Sequence, residues 1–358
     1  MSTGFHGLKV KDVRRETEDS VSLAFDLPPE LTHMFRFDAG QHLTLRADIA
    51  GEEVRRNYSL CVAPHEPELR VAIKKVAGGL FSDWANRLVA IGDVIEAMPP
   101  HGSFTWSFDA SRTGTYAGFA AGSGITPILS LLKTALEIEP NSRFILLYGN
   151  RESSGIMFLD EIADLKDRYL GRLQVCHFLD EEEGEIELFN GRLDADKMAD
   201  VLQSLVDPAQ IDAAFICGPG PMMDAVEAGL TDGGVSPDRI RVERFTVGRM
   251  SDADLAEARA REQQASGRKV QVVLDGRRRT LAYDADRGSI LDNARAAGMS
   301  VPFACKAGVC ATCRARLVSG KVHMNVNYGL SAEEVAQGYV LTCQAVPEDD
   351  EVVLDYDA

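Results

Sequence analysis

The chain has 358 residues, of which 45% are hydrophobic and 26% charged, and its formal net charge is −17. No apolar run approaches the roughly 18 residues of a membrane span, and so negative a charge argues against a nucleic-acid binder, because such proteins need Lys and Arg stripes to displace counterions from phosphates. The length suits about two or three domains, and the first residues lack the basic and apolar segments of a secretory signal, so a reducing cytoplasm is the expected compartment.

Up to about Trp106 the chain reads as short β segments broken by Pro and Gly, including HLTLRADI, RRNYSLCVA and ELRVAIKKV, with a helix expected over residues 82–88. This predicts a small antiparallel β-barrel over residues 1–110. From Thr115 to Phe245 apolar strands alternate with helical stretches, from TYAGFAA and TPILSLLKTALE to AAFICG and PMMDAVEAGL. That alternation predicts an α/β domain with a parallel sheet over 111–247. The segment 248–267, GRMSDADLAEARAREQQASG, is rich in Ala and charge and nearly free of large apolar residues, and it reads as an interdomain linker. Over 268–358 an α+β domain is expected: a hairpin (VQVVLDG, RRRTLAYD), a helix (SILDNARAAG) and the strands VLTCQAV and EVVLDYD.

Seven cysteines, four of them crowded toward the C-terminus, favour a metal or redox site over a disulfide framework. The four are spaced Cys305-x4-Cys310-x2-Cys313, with Cys343 farther on. This is the general spacing of plant-type [2Fe–2S] ferredoxins. The intervening residues Ala304, Ala307, Gly308, Val309, Ala311 and Thr312 are small enough for a loop to wrap a cluster and aim backbone N–H groups at its sulfurs. A four-cysteine zinc site is the weaker alternative, because zinc modules usually pair two short knuckles and only one C-x2-C pair occurs here. Residues 268–358 thus resemble a plant-type ferredoxin with its β-grasp fold.

A cluster passes single electrons whereas a nicotinamide delivers a hydride, so a chain joining the two calls for a flavin. Arg56-Asn57-Tyr58-Ser59 resembles the R-x-Y-S motif of ferredoxin-NADP reductase-type flavoproteins. That resemblance gives Arg56 to a flavin phosphate, Tyr58 to the isoalloxazine face and Ser59 to its reactive nitrogen. Lys74 and Gly78-Gly79-Leu80-Phe81-Ser82 are similar to the family's second flavin segment, with Ser82 expected to cap a helix facing the pyrophosphate. The order and spacing suit FAD better than FMN.

The stretch Ala121-Gly122-Ser123-Gly124-Ile125-Thr126-Pro127 follows an apolar strand and opens a helix, with Thr126 expected as its cap and Pro127 in its first turn. It resembles the family's G-x-G-x-T-P nucleotide loop. Cys217-Gly218-Pro219-Gly220-Pro221 resembles the second nicotinamide segment, which implies a catalytic position for Cys217 beside the site of hydride transfer. Tyr148-Gly149-Asn150-Arg151 ends a strand where the adenosine ribose is expected. There Arg151 could pair with a 2′-phosphate, favouring NADPH, although NADH-using relatives carry a similar Asn-Arg. Glu243-Arg244-Phe245 could place an acid or an aromatic ring beside the flavin, and a core-facing Phe245 is equally open.

The order flavin barrel, nucleotide domain, ferredoxin domain resembles the reductase components of bacterial multicomponent oxygenases. GLFSDWAN, VNYGLSAEEVAQGYVLTCQA and the DYD ending are similar to the phenylacetyl-CoA epoxidase reductase subunits. Reductases of Rieske-type ring and ketosteroid hydroxylases share the domain order. The resemblance implies electron flow from NADPH through FAD and the cluster to an external oxygenase. Eight carboxylates and no Lys or Arg follow Met324, so an acidic face including Glu333, Glu334 and Asp355 is expected to dock on a basic oxygenase surface. An iron–sulfur redox sensor is the alternative of a different class.

Overall fold

The computed structural model describes residues 4–245 and 252–358, and these fall into two compact units that divide after Phe245. The first unit begins with strands β1 (His6–Thr17), β2 (Ser20–Asp26), β3 (His42–Ile49), β4 (Glu52–Ser59) and β5 (Leu69–Lys74), then helix α1 (Leu80–Arg87) and strand β6 (Val94–Ala97). The six strands form one antiparallel sheet in the order β4-β3-β6-β1-β2-β5. A bridge between Leu60 and Val71 joins its two edges, so the expected barrel closes where the chain leaves β4. Leu8, Leu23, Phe25, Leu43, Leu45, Val71 and Ile73 fill it, and α1 plugs one end with Phe81 and Ala85.

The same unit continues through β7 (Thr115–Ala121), α2 (Ile125–Ile138), β8 (Arg143–Asn150), α3 (Leu159–Arg168), β9 (Leu173–Leu179), α4 (Ala195–Ser204), β10 (Ala213–Cys217), α5 (Gly220–Asp232) and β11 (Ile240–Glu243). The five strands are all parallel, in the order β11-β10-β7-β8-β9. Because β8 and β9 extend the sheet on one side of β7 and β10 and β11 on the other, the order reverses between β7 and β10. Ligands bind at such reversals, beyond the carboxyl ends of the strands. Two apolar layers sandwich the sheet, one around Tyr116, Phe144 and Phe215 and the other around Phe119, Phe178 and Ile216. Glu139, fully buried, is accommodated because Tyr116 and Ser142 donate to its carboxylate at 2.7 and 2.6 Å.

The second unit contains helix α6 (Asp252–Ala265), strands β12 (Lys269–Leu274) and β13 (Arg277–Ala282), helix α7 (Ile290–Ala296), strands β14 (Arg314–Ser319) and β15 (Val322–Met324), helix α8 (Ala332–Ala336), and strands β16 (Tyr339–Leu341), β17 (Ala345–Pro347) and β18 (Glu351–Asp355). A mixed sheet runs β13-β12-β18-β14-β16, with β12 and β18 parallel, beside the small ladder β15-β17. This is the expected α+β arrangement. The β12–β13 hairpin turns at Asp275 and Gly276, both with positive φ, as a tight two-residue Asp-Gly connection requires. VLTCQAV, expected as one strand, is split into β16 and β17 by the turn that carries Cys343.

The segment expected as a linker differs in part. Residues 246–251, including the expected boundary at 247–248, lie outside the described residues, but Asp252–Ala265 is helical and Ala265 is fully buried in the core of the second unit. Alanine has high helix propensity, and a face of Ala can pack closely without a large apolar side chain. No described helix is long and apolar enough to cross a membrane. Substituting Ala265→Arg should overpack that core and lower the unit's stability by about 1–3 kcal/mol, whereas Ala260→Arg, on an exposed position, should leave the melting temperature unchanged. Calorimetry of the two variants measures the difference.

Candidate functional site

The flavin motif occupies the end of β4. Alternation along the strand sets Arg56 and Tyr58 on one side and Asn57 and Ser59 on the other. Arg56 is exposed and makes no ion pair among the described residues, its guanidinium donating only to the Arg55 carbonyl at 2.7 Å. Tyr58 packs on Phe81 of α1 with ring centroids 5.4 Å apart, and burial pushes its hydroxyl pKa up. Ser59 is buried opposite His42 of β3. His42 itself shares Nε2 with Asn57 and His101 at 3.1 Å each, and burial holds it well below the usual histidine range. This buried polar cluster has no signature in the sequence.

The second flavin segment is tighter than expected. Gly78 has a positive φ, and a Cβ on Gly79 would sit 2.6 Å from Ser82 Oγ and 3.0 Å from the Val76 carbonyl. Gly79, not Ser82, is the N-cap of α1. Ser82 lies inside the first turn, where its hydroxyl accepts from Val76 N–H at 3.1 Å and donates to the Gly79 carbonyl at 3.0 Å. It closes the loop rather than capping the helix. Lys74, at the end of β5, pairs with Asp19 at 3.5 Å.

The two nicotinamide segments meet at the sheet reversal. β7 ends into the turn Gly122–Gly124, with Gly122 at φ 52°, and β10 ends at Cys217. A Cβ on Gly124 would stand 2.0 Å from the Cys217 carbonyl oxygen, and one on Gly218 would stand 2.6 Å from Met222 Sδ. Only glycine allows this approach. Gly124 is also the N-cap of α2; Thr126, expected in that role, is the second helical residue and donates to the Ser123 carbonyl at 2.9 Å, with Pro127 in the first turn as expected. Tyr148 braces the turn from β8, donating to Gly122 O at 3.0 Å. The Cys217 thiol is fully buried, and burial with the neighbouring Glu243 carboxylate pushes its pKa well above the ordinary range. It is therefore a neutral thiol, unsuited to nucleophilic work. Glu243 lies beside it on β11, Arg244 pairs with Asp224 at 2.7 Å, and Phe245 is 40% exposed rather than core-facing.

Beyond β8 and β9, three buried polar atoms have no hydrogen-bond partner: Asn150 Nδ2, His177 Nδ1 and Asp180 Oδ1. Asp180 N–H donates to the Asn150 carbonyl at 3.2 Å, and the His177 ring lies 5.9 Å from that of Tyr148. Buried polar groups are normally satisfied, so orphans gathered at the carboxyl ends of parallel strands fit a polar ligand such as the ribose of a dinucleotide. His177 and Asp180 escape sequence reading because an apolar strand pattern conceals them. Arg151 is well exposed and only 4.0 Å from Glu181.

In the second unit the cysteine loop adopts left-handed backbone at Lys306, Gly308 and Ala311, a costly conformation for non-glycine residues that tends to mark functional sites. A Cβ on Gly308 would meet the Val326 carbonyl at 2.8 Å. The sulfurs associate two and two, Cys305 with Cys310 and Cys313 with Cys343, each pair raising one thiol and lowering the other. Ala307 N–H donates to Cys305 Sγ at 3.3 Å. Two pairs of thiols under backbone donors fit a two-iron cluster with two cysteines on each iron. A hydrogen-bond chain supports them from behind: Tyr356 donates to Thr342 at 2.7 Å, and Thr342 donates to the Cys313 carbonyl at 2.9 Å.

A glycine-lined turn at the sheet reversal, a barrel with an exposed arginine and a paired-thiol loop fit a modular flavin, nicotinamide and iron–sulfur oxidoreductase. Family models agree: an oxidoreductase FAD-binding domain matches residues 7–106, an oxidoreductase NAD-binding domain 119–228 and a 2Fe-2S iron-sulfur cluster binding domain 272–348. The chain belongs to one family with a 1,2-phenylacetyl-CoA epoxidase subunit of Escherichia coli (strain K12), to which it is 44% identical over 99% of both chains. It is also 34% identical to the ferredoxin reductase component of 3-ketosteroid-9-alpha-monooxygenase from Rhodococcus rhodochrous, over 98% of this chain and 96% of that one. Phthalate dioxygenase reductase, a modular structure for electron transfer from pyridine nucleotides to [2Fe-2S], superposes with a TM-score of 0.60 and 25% identity over 98% of both chains.

Replacing Gly124 by Ala should force the nucleotide turn away from Cys217. We expect the Kd for NAD(P)H to rise at least about tenfold from lost phosphate positioning, while the absorbance and electron paramagnetic resonance of the cluster, in the other unit, stay unchanged. Fluorescence titration alongside those spectra tests this.

Proposed function

We propose that this chain is the reductase component of a multicomponent oxygenase, that the oxygenase served is a phenylacetyl-CoA epoxidase, and that both work in the cytoplasm. The carrying observation is the 44% identity over 99% of both chains, in a protein whose three cofactor domains lie on one chain. In this reading Arg56, Tyr58, Ser59, Lys74, Gly78, Gly79 and Ser82 hold FAD. Gly122, Gly124, Thr126, Pro127, Arg151, Cys217 and Gly218 hold NADPH, and Cys305, Cys310, Cys313 and Cys343 ligate the cluster. The cofactors supply the chemistry: the nicotinamide gives two electrons as hydride, the flavin accepts them together and the cluster passes them on singly. The protein's contribution is position and environment.

Each residue's part follows from its surroundings. Arg56, unpaired with any described carboxylate, is available for a phosphate. The Gly122–Gly124 turn offers backbone N–H groups at the start of a 14-residue helix, whose dipole favours an anion there. Cys217, neutral and fully buried, bounds the nicotinamide side without reacting. Arg151 is held only by a long, exposed ion pair to Glu181, which is worth little, so it can turn to a 2′-phosphate. Arg151→Ala should therefore raise the Kd for NADPH about tenfold, with that for NADH changed less than about twofold; equal losses for both nucleotides in stopped-flow titration would remove Arg151 from the selectivity argument.

The acidic docking surface needs revision. Glu334 completes a capping box with Ser331 and pairs with Arg314 at 2.6 Å, and Asp355 is half-buried. Asp357 accepts from the backbone of Asp275 and Gly276 at 2.9 and 2.8 Å. The freely exposed acids are Glu333 and the run Glu348, Asp349, Asp350 and Glu351. Docking by charge predicts that converting this run to amides slows reduction of the oxygenase and flattens its salt dependence, with flavin bleaching by NADPH unaffected. If delivery and its salt dependence both stay as in the parent protein, this surface is not the dock.

A further inference from the structure

Helix α2 carries the nucleotide turn at its start, and one turn of its flank meets the loop that leaves the barrel after β4. Ser130 and Lys133, three residues apart and hence on one face, are both buried. Ser130 Oγ donates to the Val62 carbonyl at 2.6 Å; Lys133 Nζ donates to the Cys61 carbonyl at 3.4 Å and to Glu66 at 3.3 Å. Cys61 and Val62 follow Ser59 by two and three positions. Glu66 in turn accepts from Ala63 N–H at 3.2 Å, and Lys133 also pairs with Glu161 of α3. The contact borders a cavity of about 290 Å³ lined by Cys61, Val62, Glu66, Arg70, Lys133 and Glu161 among others. Directed hydrogen bonds are therefore added here to the apolar packing of Cys61 and Ala72 with Ile128, Leu129 and Leu132 of α2.

We propose that Lys133 and Ser130 form a positioning latch that fixes the strand end bearing Ser59 against the helix bearing the Gly122–Gly124 turn, and so sets the alignment of flavin and nicotinamide for hydride transfer. The proposal rests on the flavoprotein reading above and adds a function for residues that touch neither cofactor segment. A buried ammonium between two carboxylates is a poor device for stability alone, since desolvation offsets much of the attraction. It suits positioning because three donors on one atom hold a loop carbonyl, a loop carboxylate and a second helix at one point. Burial would lower the Lys133 pKa, but Glu161 and Glu66 outweigh it and hold the amine above its ordinary value, so the latch is charged at neutral pH.

The test uses the full chain loaded with FAD, with Ser130→Ala, Lys133→Met and their double variant, and Lys133→Arg as the conservative replacement. Readouts are the flavin-bleaching rate at saturating NADPH, the Kd for NADPH, the long-wavelength charge-transfer absorbance of the nucleotide complex, and hydrogen exchange of amides 60–68 in FAD-free protein. A small misalignment can cost a large factor in rate, so the double variant should bleach about tenfold to a hundredfold more slowly, with Kd within about twofold. Its charge-transfer band should weaken, exchange at 60–68 should rise, and Lys133→Arg should restore much of the rate. Unchanged bleaching and charge-transfer absorbance in the double variant would overturn the latch, as would a rate loss that merely tracks FAD loss and is not recovered by Lys133→Arg. If neither NADPH nor NADH bleaches the wild-type flavin, the flavoprotein reading itself fails and takes the latch with it.

Discussion

The nucleotide half of this protein depends on one backbone approach, that of Gly124 to the carbonyl of Cys217. It is possible only because Gly124 has no Cβ, and it brings the start of α2 to the end of β10 at the place where the parallel sheet reverses direction. Three consequences follow from the same contact. The amino end of a long helix is directed at the crevice, where its unsatisfied N–H groups form the positive pole of the helix. The Cys217 carbonyl is fixed against the turn while its side chain lies in the apolar core, where burial and the Glu243 carboxylate keep its thiol neutral. The axis of α2 is fixed at one end, so that Ser130 and Lys133, farther along, meet the barrel at a defined height.

Much of this is legible in the sequence because the decisive signals are local. Alternating apolar strands and helices identify the parallel sheet, the Asp275-Gly276 pair marks a hairpin, and the cysteine spacing selects the paired-thiol loop. Local signals also mislead where two neighbouring residues compete for one role. Ser82 and Thr126 have the chemistry of N-caps, yet Gly79 and Gly124 hold the cap positions because the backbone approaches too closely there for a side chain. The hydroxyls then bond backward into their own loops. Helix α6 reads as linker because an Ala-rich face gives almost no amphipathic contrast, although Ala265 is buried in the core of its unit.

What sequence reading misses are groupings made by register. Asn150, His177 and Asp180 come together because β8 and β9 pair with Tyr148 opposite His177; His42, Asn57 and His101 because β3 and β4 pair with His42 opposite Ser59 and a bridge joins His42 to His101. Strand pairing over long separations leaves no mark in composition or spacing. The same holds for the acids near the C-terminus. The sequence counts them as one charged tail, but Glu334 and Asp357 are committed to a cap and a turn, and the exposed charge is concentrated at 348–351.

The distribution of buried charge separates two kinds of work in the first unit. Glu139 is buried chiefly with hydroxyl donors from Tyr116 and Ser142, Arg112 lying no nearer than 3.9 Å, a local solution that stabilises the corner where β7 and β8 begin. Lys133 is buried with carboxylates from two other segments, Glu66 in the barrel loop and Glu161 on α3. An apolar side chain of similar volume could fill that space with less desolvation cost, but it would leave the loop after Ser59 to apolar packing and the single Ser130 bond, without the directed contacts to Cys61 O and Glu66. Reduction of a flavin by a nicotinamide is sensitive to small displacements, because hydride transfer requires the reacting atoms to be held close and aligned. A charged residue at this joint, bonded in three directions and bordered by a cavity, therefore makes better sense as a fixing point for geometry than as a source of stability.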